Sequence, residues 1–297
     1  MTDSNTAWTS YWQAGHRHSC FSNGAPLPVA AIWESVLSAL ERSPACILDA
    51  ACGGGALSAF LVQKYPDATI YAADAATWLP DMPGVEVRPN TPLEHLPFDD
   101  QSVDLVVSQF GLEYANSDQA IPEVVRVLAP QGVLVALMHH EDSAVVKAVT
   151  DERDTVTSLL SEGGLLNVLH HLATAEQRSV PDLPAVEAAA ANAFGIETKR
   201  LHTPTRRWAL SYIAEMMERR PSQPKGYLAA NLQRLVLELR HAGDRLHAMG
   251  AAVLSERAID ELSAQLRTAG MHNTRVTLCT DDADAVVGWL LVAQHAD

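Results

Sequence analysis

The segment ILDAACGGGALSAFL, from Ile47 to Leu61, constrains the fold more than any other part of the chain. An apolar run that ends at Ala51 predicts a buried strand, and Ala56–Lys64 is typical of a helix. Three glycines stand between them, and each loses more backbone entropy on folding than another residue would. A glycine-rich turn from strand to helix lets the backbone approach a ligand, and the helix N-terminus favours negative charge there. The segment predicts a nucleotide-binding unit.

Strand-like and helical patterns alternate around this unit, which predicts a parallel sheet with helices on both faces. The predicted strands are Cys46–Ala51, Thr69–Ala73, Val85–Arg88, Val103–Ser108, Gly132–Met138, Thr274–Cys279 and Val286–Ala293. For roughly a hundred residues after His140 only helical periodicity is present. We therefore predict an α/β fold: a doubly wound, Rossmann-like, seven-stranded and mostly parallel sheet with a helical insertion after the fifth strand.

This pattern divides the chain into three predicted regions. Residues 1–44 form an N-terminal lid and a helix, and residues 45–140 and 251–297 form the ligand-binding core. Residues 141–250 form a helical cap over the substrate, because an insertion at the carboxyl edge of such a sheet projects over the ligand.

Composition excludes several function classes. A formal net charge of −15 opposes binding to a phosphate backbone, so no nucleic acid partner is expected. No apolar run is long enough to span a bilayer and no secretory signal is visible, so we expect a cytoplasmic protein without a membrane partner. The four cysteines are scattered. His16, His18 and Cys20 alternate without a partner cluster, so no metal is expected.

Two acidic residues narrow the ligand. Asp74 follows the second predicted strand, about 20 residues after the glycines, where a carboxylate in a dinucleotide fold accepts hydrogen bonds from ribose hydroxyls. Asp49 lies inside the first strand, where it would be costly beside a pyrophosphate but suits a ligand with a positive charge. Gly53, Gly55 and Ser58 also fit a dinucleotide fingerprint weakly, so a nicotinamide-dependent oxidoreductase stays an alternative.

At this point the residues resemble the class I S-adenosylmethionine-dependent methyltransferases. DAACGGG is similar to the first motif of that family, an acidic residue followed by alternating glycines: Asp49, Gly53 and Gly55 match, and Ala51 replaces the first glycine. Leu96–Tyr114 resembles the fourth-strand segment of the family, and Glu123–Leu137 resembles its helix, turn and fifth strand.

The resemblance implies S-adenosyl-L-methionine as the cofactor and gives roles to individual residues. Asp49 would support the methionine end and Asp74 the ribose, while Leu93 would lie near adenine because Pro92 replaces an aspartate that relatives often carry. The predicted cofactor-binding residues are Asp49, Ala51, Gly53, Gly55, Asp74, Leu93 and Ser108.

Acceptor and catalytic residues are expected at the carboxyl edge of the sheet and in the added segments. His139 and His140 follow the fifth strand and are the candidate bases, since an imidazole titrates near neutral pH. The aromatic N-terminal segment would close over the site. The predicted substrate-binding residues are Tyr11, Trp12, Phe110, Arg206 and Arg207.

The leading hypothesis is an S-adenosylmethionine-dependent methyltransferase that acts on a small molecule held under a helical cap. A regulatory protein that binds the cofactor without turnover is the alternative from another class. The sequence indicates neither the acceptor nor the oligomeric state.

Overall fold

A computed structural model describes residues 4–19, 21–22, 25–26, 29–178, 183–199 and 203–295. Cys20, one of the residues considered as a metal ligand, lies outside these ranges. The chain divides into two compact units. The first, the sheet unit, contains Asp3–Ala148 and Ala248–Asp297, and the second, the helical unit, contains Val149–His247.

The sheet unit is built on seven strands. They are β1 (Cys46–Ala50), β2 (Thr69–Ala73), β3 (Glu86–Arg88), β4 (Val103–Gln109), β5 (Leu128–Met138), β6 (Asn273–Thr280) and β7 (Val286–Gln294). Their order in the sheet is β3-β2-β1-β4-β5-β7-β6. The first five run parallel, and β7 lies antiparallel to both β5 and β6. This confirms the predicted seven-stranded, mostly parallel fold.

Ten helices accompany the strands among the described residues. They are α1 (Ser4–Gln13), α2 (Ala30–Ser38), α3 (Ala56–Lys64), α4 (Ser117–Val127), α5 (Ala144–Leu160), α6 (Leu165–Arg178), α7 (Leu183–Thr198), α8 (Pro204–Arg219), α9 (Tyr227–Ala251) and α10 (Glu256–Thr268). Two 3-10 helices, Leu112–Tyr114 and Arg220–Ser222, and a small hairpin of Phe21–Ser22 with Ala25–Pro26 complete the structure. None of the helices in the described ranges has the length and apolar character needed to cross a membrane.

The central strands are apolar because helices cover both faces of a parallel sheet. Leu48 on β1, Val106 on β4 and Leu134 on β5 are fully buried. The sheet order reverses between β1 and β4, since β2 and β3 lie on one side and β5 on the other. In open α/β sheets a ligand binds outside the carboxyl ends of the strands at this point. The fold thereby places the site at the carboxyl ends of β1 and β4, beside Asp49 and Gln109.

The helical unit has a core of its own, in which Leu159, Leu169 and Leu239 are almost fully buried. Arg206 belongs to its interior: this side chain is 5% exposed, and its Nη1 donates to Glu197 Oε2 at 2.6 Å. Arg207 is exposed. Arg206 therefore forms a buried ion pair with Glu197. Because its guanidinium is held in this pair, the structure does not favour the predicted contact between Arg206 and a substrate.

Candidate active site

A cavity of about 760 Å³ opens at the carboxyl edge of the sheet unit, at the reversal between β1 and β4. Its described lining comes from the ends of β1, β2 and β4, from the glycine turn, from α1 and α2, and from Ala248–Ala252. The volume lies within the range of small-molecule sites.

The glycine turn forms one wall of this cavity. Ala51, Gly53 and Gly55 have φ values of 58°, 53° and 78°, in the left-handed region that favours glycine. Ala51 holds this conformation although it carries a side chain. A Cβ atom on Gly53 would lie 2.5 Å from Cζ2 of Trp12, so a glycine is required there for packing as well as for backbone geometry.

Asp74 ties the end of β2 to the glycine turn. Its Oδ2 accepts from the Gly53 N–H at 2.9 Å, and its Oδ1 accepts from the Ala76 N–H at 2.8 Å. Burial raises the pKa of this carboxyl, and the two backbone donors oppose the rise. Each oxygen keeps a lone pair, so Asp74, which lines the cavity, can accept further hydrogen bonds from ligand hydroxyls.

Asp49 is a buried carboxyl at the base of the cavity. It is 1% exposed, and Ser58 Oγ on α3 donates to its Oδ2 at 2.6 Å. Burial raises its pKa to about 7, and the nearby Asp74 charge adds to the rise. Because a negative charge is disfavoured there, a positively charged ligand would stabilise the ionised form.

The segment after β3 closes the far side of Asp74. The Thr91 N–H donates to the Asp74 carbonyl oxygen at 2.8 Å, which brings Pro92 and the buried Leu93 into the cavity wall. The predicted position of Leu93 beside the ligand is consistent with this lining. Ser108 is fully buried and does not line the cavity, and Gly55 supports the turn from outside it, where Met82 packs against it.

Helix α1 and the residues after it pack over the glycine turn. Trp8 and Trp12 stack with ring centroids 5.5 Å apart, and Trp8 also meets Tyr114 edge to face at 6.0 Å. Trp12 and Trp8 line the cavity, whereas Tyr11 turns its hydroxyl to the His18 carbonyl oxygen at 2.8 Å. Of the aromatic residues predicted to contact a substrate, Trp12 and Phe110 thus lie at the cavity and Tyr11 does not line it.

Neither predicted catalytic histidine lines the cavity. His139 is 1% exposed and stacks on Phe110 at 4.7 Å, and burial lowers its pKa to about 4. His140 is also buried, where its Nδ1 accepts from the Asp142 N–H at 2.9 Å and its ring packs on Trp289. Their location after β5 was predicted, but the sequence does not reveal that both rings turn into the core. This geometry does not favour a catalytic role for either ring.

Glu113 is a cavity residue that sequence reasoning missed. It lies on the 3-10 helix directly after β4, and its Oε1 accepts from the His139 N–H at 2.8 Å. Burial raises its pKa to about 8, although backbone N–H groups at Glu113, His139 and Gly111 oppose the shift. The sequence feature that could have pointed to Glu113 is an acidic residue four positions after the end of a buried strand.

Gln109 is held in one orientation at the end of β4. Trp33 Nε1 on α2 donates to Gln109 Oε1 at 2.7 Å, and both residues line the cavity. An indole N–H can only donate, so the amide oxygen must face Trp33 and the amide NH₂ group remains as a donor.

Among the described residues, no group of three or more histidine, cysteine, aspartate or glutamate side chains is arranged to hold a metal ion.

The family described as "Methyltransferase domain" matches residues 48–136, which contain the glycine turn, Asp74 and Glu113. A malonyl-[acyl-carrier protein] O-methyltransferase of Dechloromonas aromatica is 32% identical over 179 residues, which are 52% of this chain and 66% of that protein. A demethylmenaquinone methyltransferase of Thermus thermophilus is 38% identical over 108 residues, 33% of this chain and 49% of that protein. The chain thus spans less than two thirds of the length of either relative.

Among solved structures, a 1,6-didemethyltoxoflavin-N1-methyltransferase of Burkholderia thailandensis, crystallised with S-adenosylhomocysteine, matches 39% of this chain and 52% of its own. The identity is 20% and the TM-score is 0.30.

Proposed function

We propose that this chain, which carries a class I S-adenosylmethionine-dependent methyltransferase domain at residues 48–136, transfers the methyl group of that cofactor to a small-molecule acceptor. The observation that carries the proposal is the hydrogen bond from the N–H of Gly53 to the Asp74 carboxylate. It joins a carboxylate suited to ribose hydroxyls to a glycine turn, at a cavity that Asp49 also lines.

The residues present fit this cofactor. Asp74 has free acceptor capacity for two ribose hydroxyls, and Leu93 offers an apolar surface beside it for adenine. The methionine part would lie along the backbone of Ala51 and Gly53, which carry only a methyl group and a hydrogen as side chains. Asp49 supplies the negative charge that suits a cationic cofactor.

When bound, the cofactor supplies a methyl group activated by a positively charged sulfur. The chain has to hold the acceptor in line with that methyl group and to keep water out. Trp8, Trp12 and Phe110 give the cavity apolar walls for this purpose. Methyl transfer by direct displacement then depends mainly on position.

A small-molecule acceptor is supported by the size of the cavity and by the named relatives, which are described as methyltransferases of malonyl-[acyl-carrier protein] and demethylmenaquinone. We retain the predicted helical cap and Arg207 as part of this proposal. Arg206 is not proposed as a substrate-binding residue, because its guanidinium is paired with the Glu197 carboxylate.

Calorimetric titration tests the cofactor site. S-adenosylmethionine and S-adenosylhomocysteine should bind, and Asp74→Ala should weaken both by about 1.5–3 kcal/mol, because a charge-assisted acceptor is lost. Asp67→Asn is the matched control, since Asp67 is exposed and precedes the opposite end of β2.

Binding of NADH in place of the adenosyl ligands would favour the oxidoreductase. Adenosyl binding without methyl transfer to any acceptor would favour the regulatory alternative. Failure of both adenosyl ligands to bind would reject the proposed function.

A further inference from the structure

We infer that Glu113 takes the proton from the methyl acceptor, and that this acceptor is a neutral planar molecule whose nucleophile is a ring hydroxyl and not a carboxylate. The inference rests on the proposed function and adds to it the chemical class of the substrate and the residue that reacts with it.

The two carboxyl oxygens of Glu113 differ in their hydrogen bonding within the described part of the chain. Oε1 accepts from the His139 N–H at 2.8 Å, which fixes the carboxyl group against the end of β5. Oε2 is buried and has no hydrogen-bond partner among the residues that the structure describes. Leaving a buried polar atom unpaired costs free energy, so such an atom at a ligand cavity is well placed to meet a donor from the ligand.

A buried carboxyl is also a stronger proton acceptor than an exposed one. Burial disfavours the charged form of Glu113 and so raises its pKa, to about 8. A base whose pKa lies near the working pH combines adequate ionisation with adequate basicity. The ring of His139, whose backbone N–H meets this carboxyl, stays neutral near neutral pH because burial lowers its pKa to about 4, so it supplies no positive charge to Glu113.

The charges around the cavity oppose an anionic acceptor. Four carboxyl groups line it among the described residues, from Asp49, Asp74, Glu94 and Glu113, against one guanidinium, that of Arg17; His18 is also present. Asp49 and Glu113, whose pKa values are about 7 and about 8, are both ionised above about pH 8, and there the carboxylates repel a further negative charge strongly. An acceptor that entered as a carboxylate would add a further negative charge, whereas a neutral hydroxyl adds none and brings a donor for Oε2.

The shape and polarity of the walls favour a flat ring. Trp8, Trp12, Trp33, Phe110 and Tyr114 all contribute aromatic side chains to the lining. Such side chains pack against planar ligands in stacked or edge-to-face contact. The Gln109 NH₂ group, directed by its bond to Trp33, offers one donor for an oxygen of the acceptor.

The proposed step is balanced without another reactant. A lone pair of the acceptor oxygen forms the O–CH₃ bond, and the electron pair of the methyl–sulfur bond stays on the sulfur, which becomes neutral. The hydroxyl O–H bond breaks, and its proton goes to Glu113 Oε2. The carboxyl group later releases this proton to water.

Matched pairs of small molecules test the class. Phenol with benzoate, and 1-naphthol with 1-naphthoate, share a ring and differ in the reacting group. After S-adenosylmethionine binding has been established by calorimetry, binding of each molecule to the protein saturated with S-adenosylhomocysteine is measured. We expect at least one hydroxyl compound to bind about tenfold or more tightly than its carboxylate. Above about pH 8, where the Glu113 carboxyl is ionised, Glu113→Gln should narrow this difference in affinity, because it removes one negative charge.

Turnover tests the proton transfer. With the bound hydroxyl compound, formation of S-adenosylhomocysteine should rise with pH through the ionisation of Glu113. Glu113→Gln should lower kcat by about 10²-fold or more and abolish that pH dependence, with cofactor affinity unchanged. Glu113→Asp should restore part of the rate, and Glu86→Gln, an exposed residue on β3, is the control.

Equal or tighter binding of the carboxylates, full activity of Glu113→Gln, or no binding of any hydroxyl compound to a protein that binds the cofactor would each overturn the inference. Failure to bind the cofactor itself would instead reject the proposed function.

Discussion

At the scale of single residues, Gly53 shows how tightly the cofactor turn is constrained. Its φ of 53° is unfavourable for a side chain, and Trp12 occupies the space that a Cβ would need. Gly53→Ala should therefore reduce cofactor affinity about tenfold or more and lower the free energy of unfolding by about 1–3 kcal/mol. Calorimetry and thermal melts measure the two effects.

Gly195→Ala is the control for Gly53→Ala. Gly195 lies inside α7, and a Cβ there would meet no atom within 4 Å. The substitution should raise stability by about 0.5–1 kcal/mol because alanine favours the helix. A Gly53→Ala protein that binds the cofactor as tightly as the unmodified chain would contradict the packing argument.

The sequence identified the residues whose role is local and missed those whose role arises from tertiary contacts. Asp49 and Gly53 belong to one contiguous motif, and Asp74 directly follows the next strand, so motif and spacing predict that the three lie at one site; all three line the cavity. Glu113 becomes distinctive only because its carboxyl meets the backbone of His139, 26 residues later. In the same way, burial of the His139 ring depends on Phe110, which sequence patterns cannot reveal.

At the scale of elements, strand and helix order was predictable and strand limits were less so. The fifth strand was predicted from Gly132, but β5 begins at Leu128. Pro130 and Gly132 are typical of a turn. The structure nevertheless pairs Leu128 with Val103 across a register shift, so the strand continues through this irregular stretch. Pairing with a neighbouring strand here overrides local preference.

The contact between α2 and β4 yields a prediction at the same scale. Trp33→Phe keeps most of the packing but removes the N–H that holds the Gln109 amide. We expect stability to fall by about 1 kcal/mol and acceptor turnover to fall several-fold, while cofactor affinity stays within about threefold. Steady-state kinetics with a titrated acceptor and calorimetry separate these quantities. Equal turnover of both proteins would show that the orientation of Gln109 is unimportant.

At the scale of the whole molecule, the buried ionisable groups predict how stability varies with pH. Burial raises the pKa of Asp49 to about 7 and that of Glu113 to about 8. At pH values between the lower pKa of each carboxyl in the unfolded chain and its raised pKa in the folded chain, the folded chain binds more protons than the unfolded chain. Their contribution to stability is therefore lost as the pH rises. Burial lowers the pKa of His139 to about 4, so this residue makes the free energy of unfolding rise with pH, and only below about pH 6.5.

Above pH 6.5 the two carboxyls act without this opposition from His139. Thermal melts should show the melting temperature falling from pH 6.5 to about pH 8. Each carboxyl lowers the free energy of unfolding by up to about 1.4 kcal/mol per pH unit until the pH passes its folded-state pKa, about 7 for Asp49 and about 8 for Glu113. Glu113→Gln should flatten the upper part of this decline, and Glu86→Gln should leave it unchanged. A melting temperature that rises over this interval would contradict the assignment of both groups.

The position of β7 in the sheet also governs how the molecule is made. β5 pairs on one side with β7, and the paired residues Met138 and Trp289 are far apart in the chain. During synthesis the apolar stretch from Val133 to Met138 therefore leaves the ribosome long before its partner strand exists. Such an uncovered strand edge attracts other chains. We therefore expect the nascent chain to be prone to aggregation until β7 joins the sheet, so that its yield should depend on chaperone supply and translation speed.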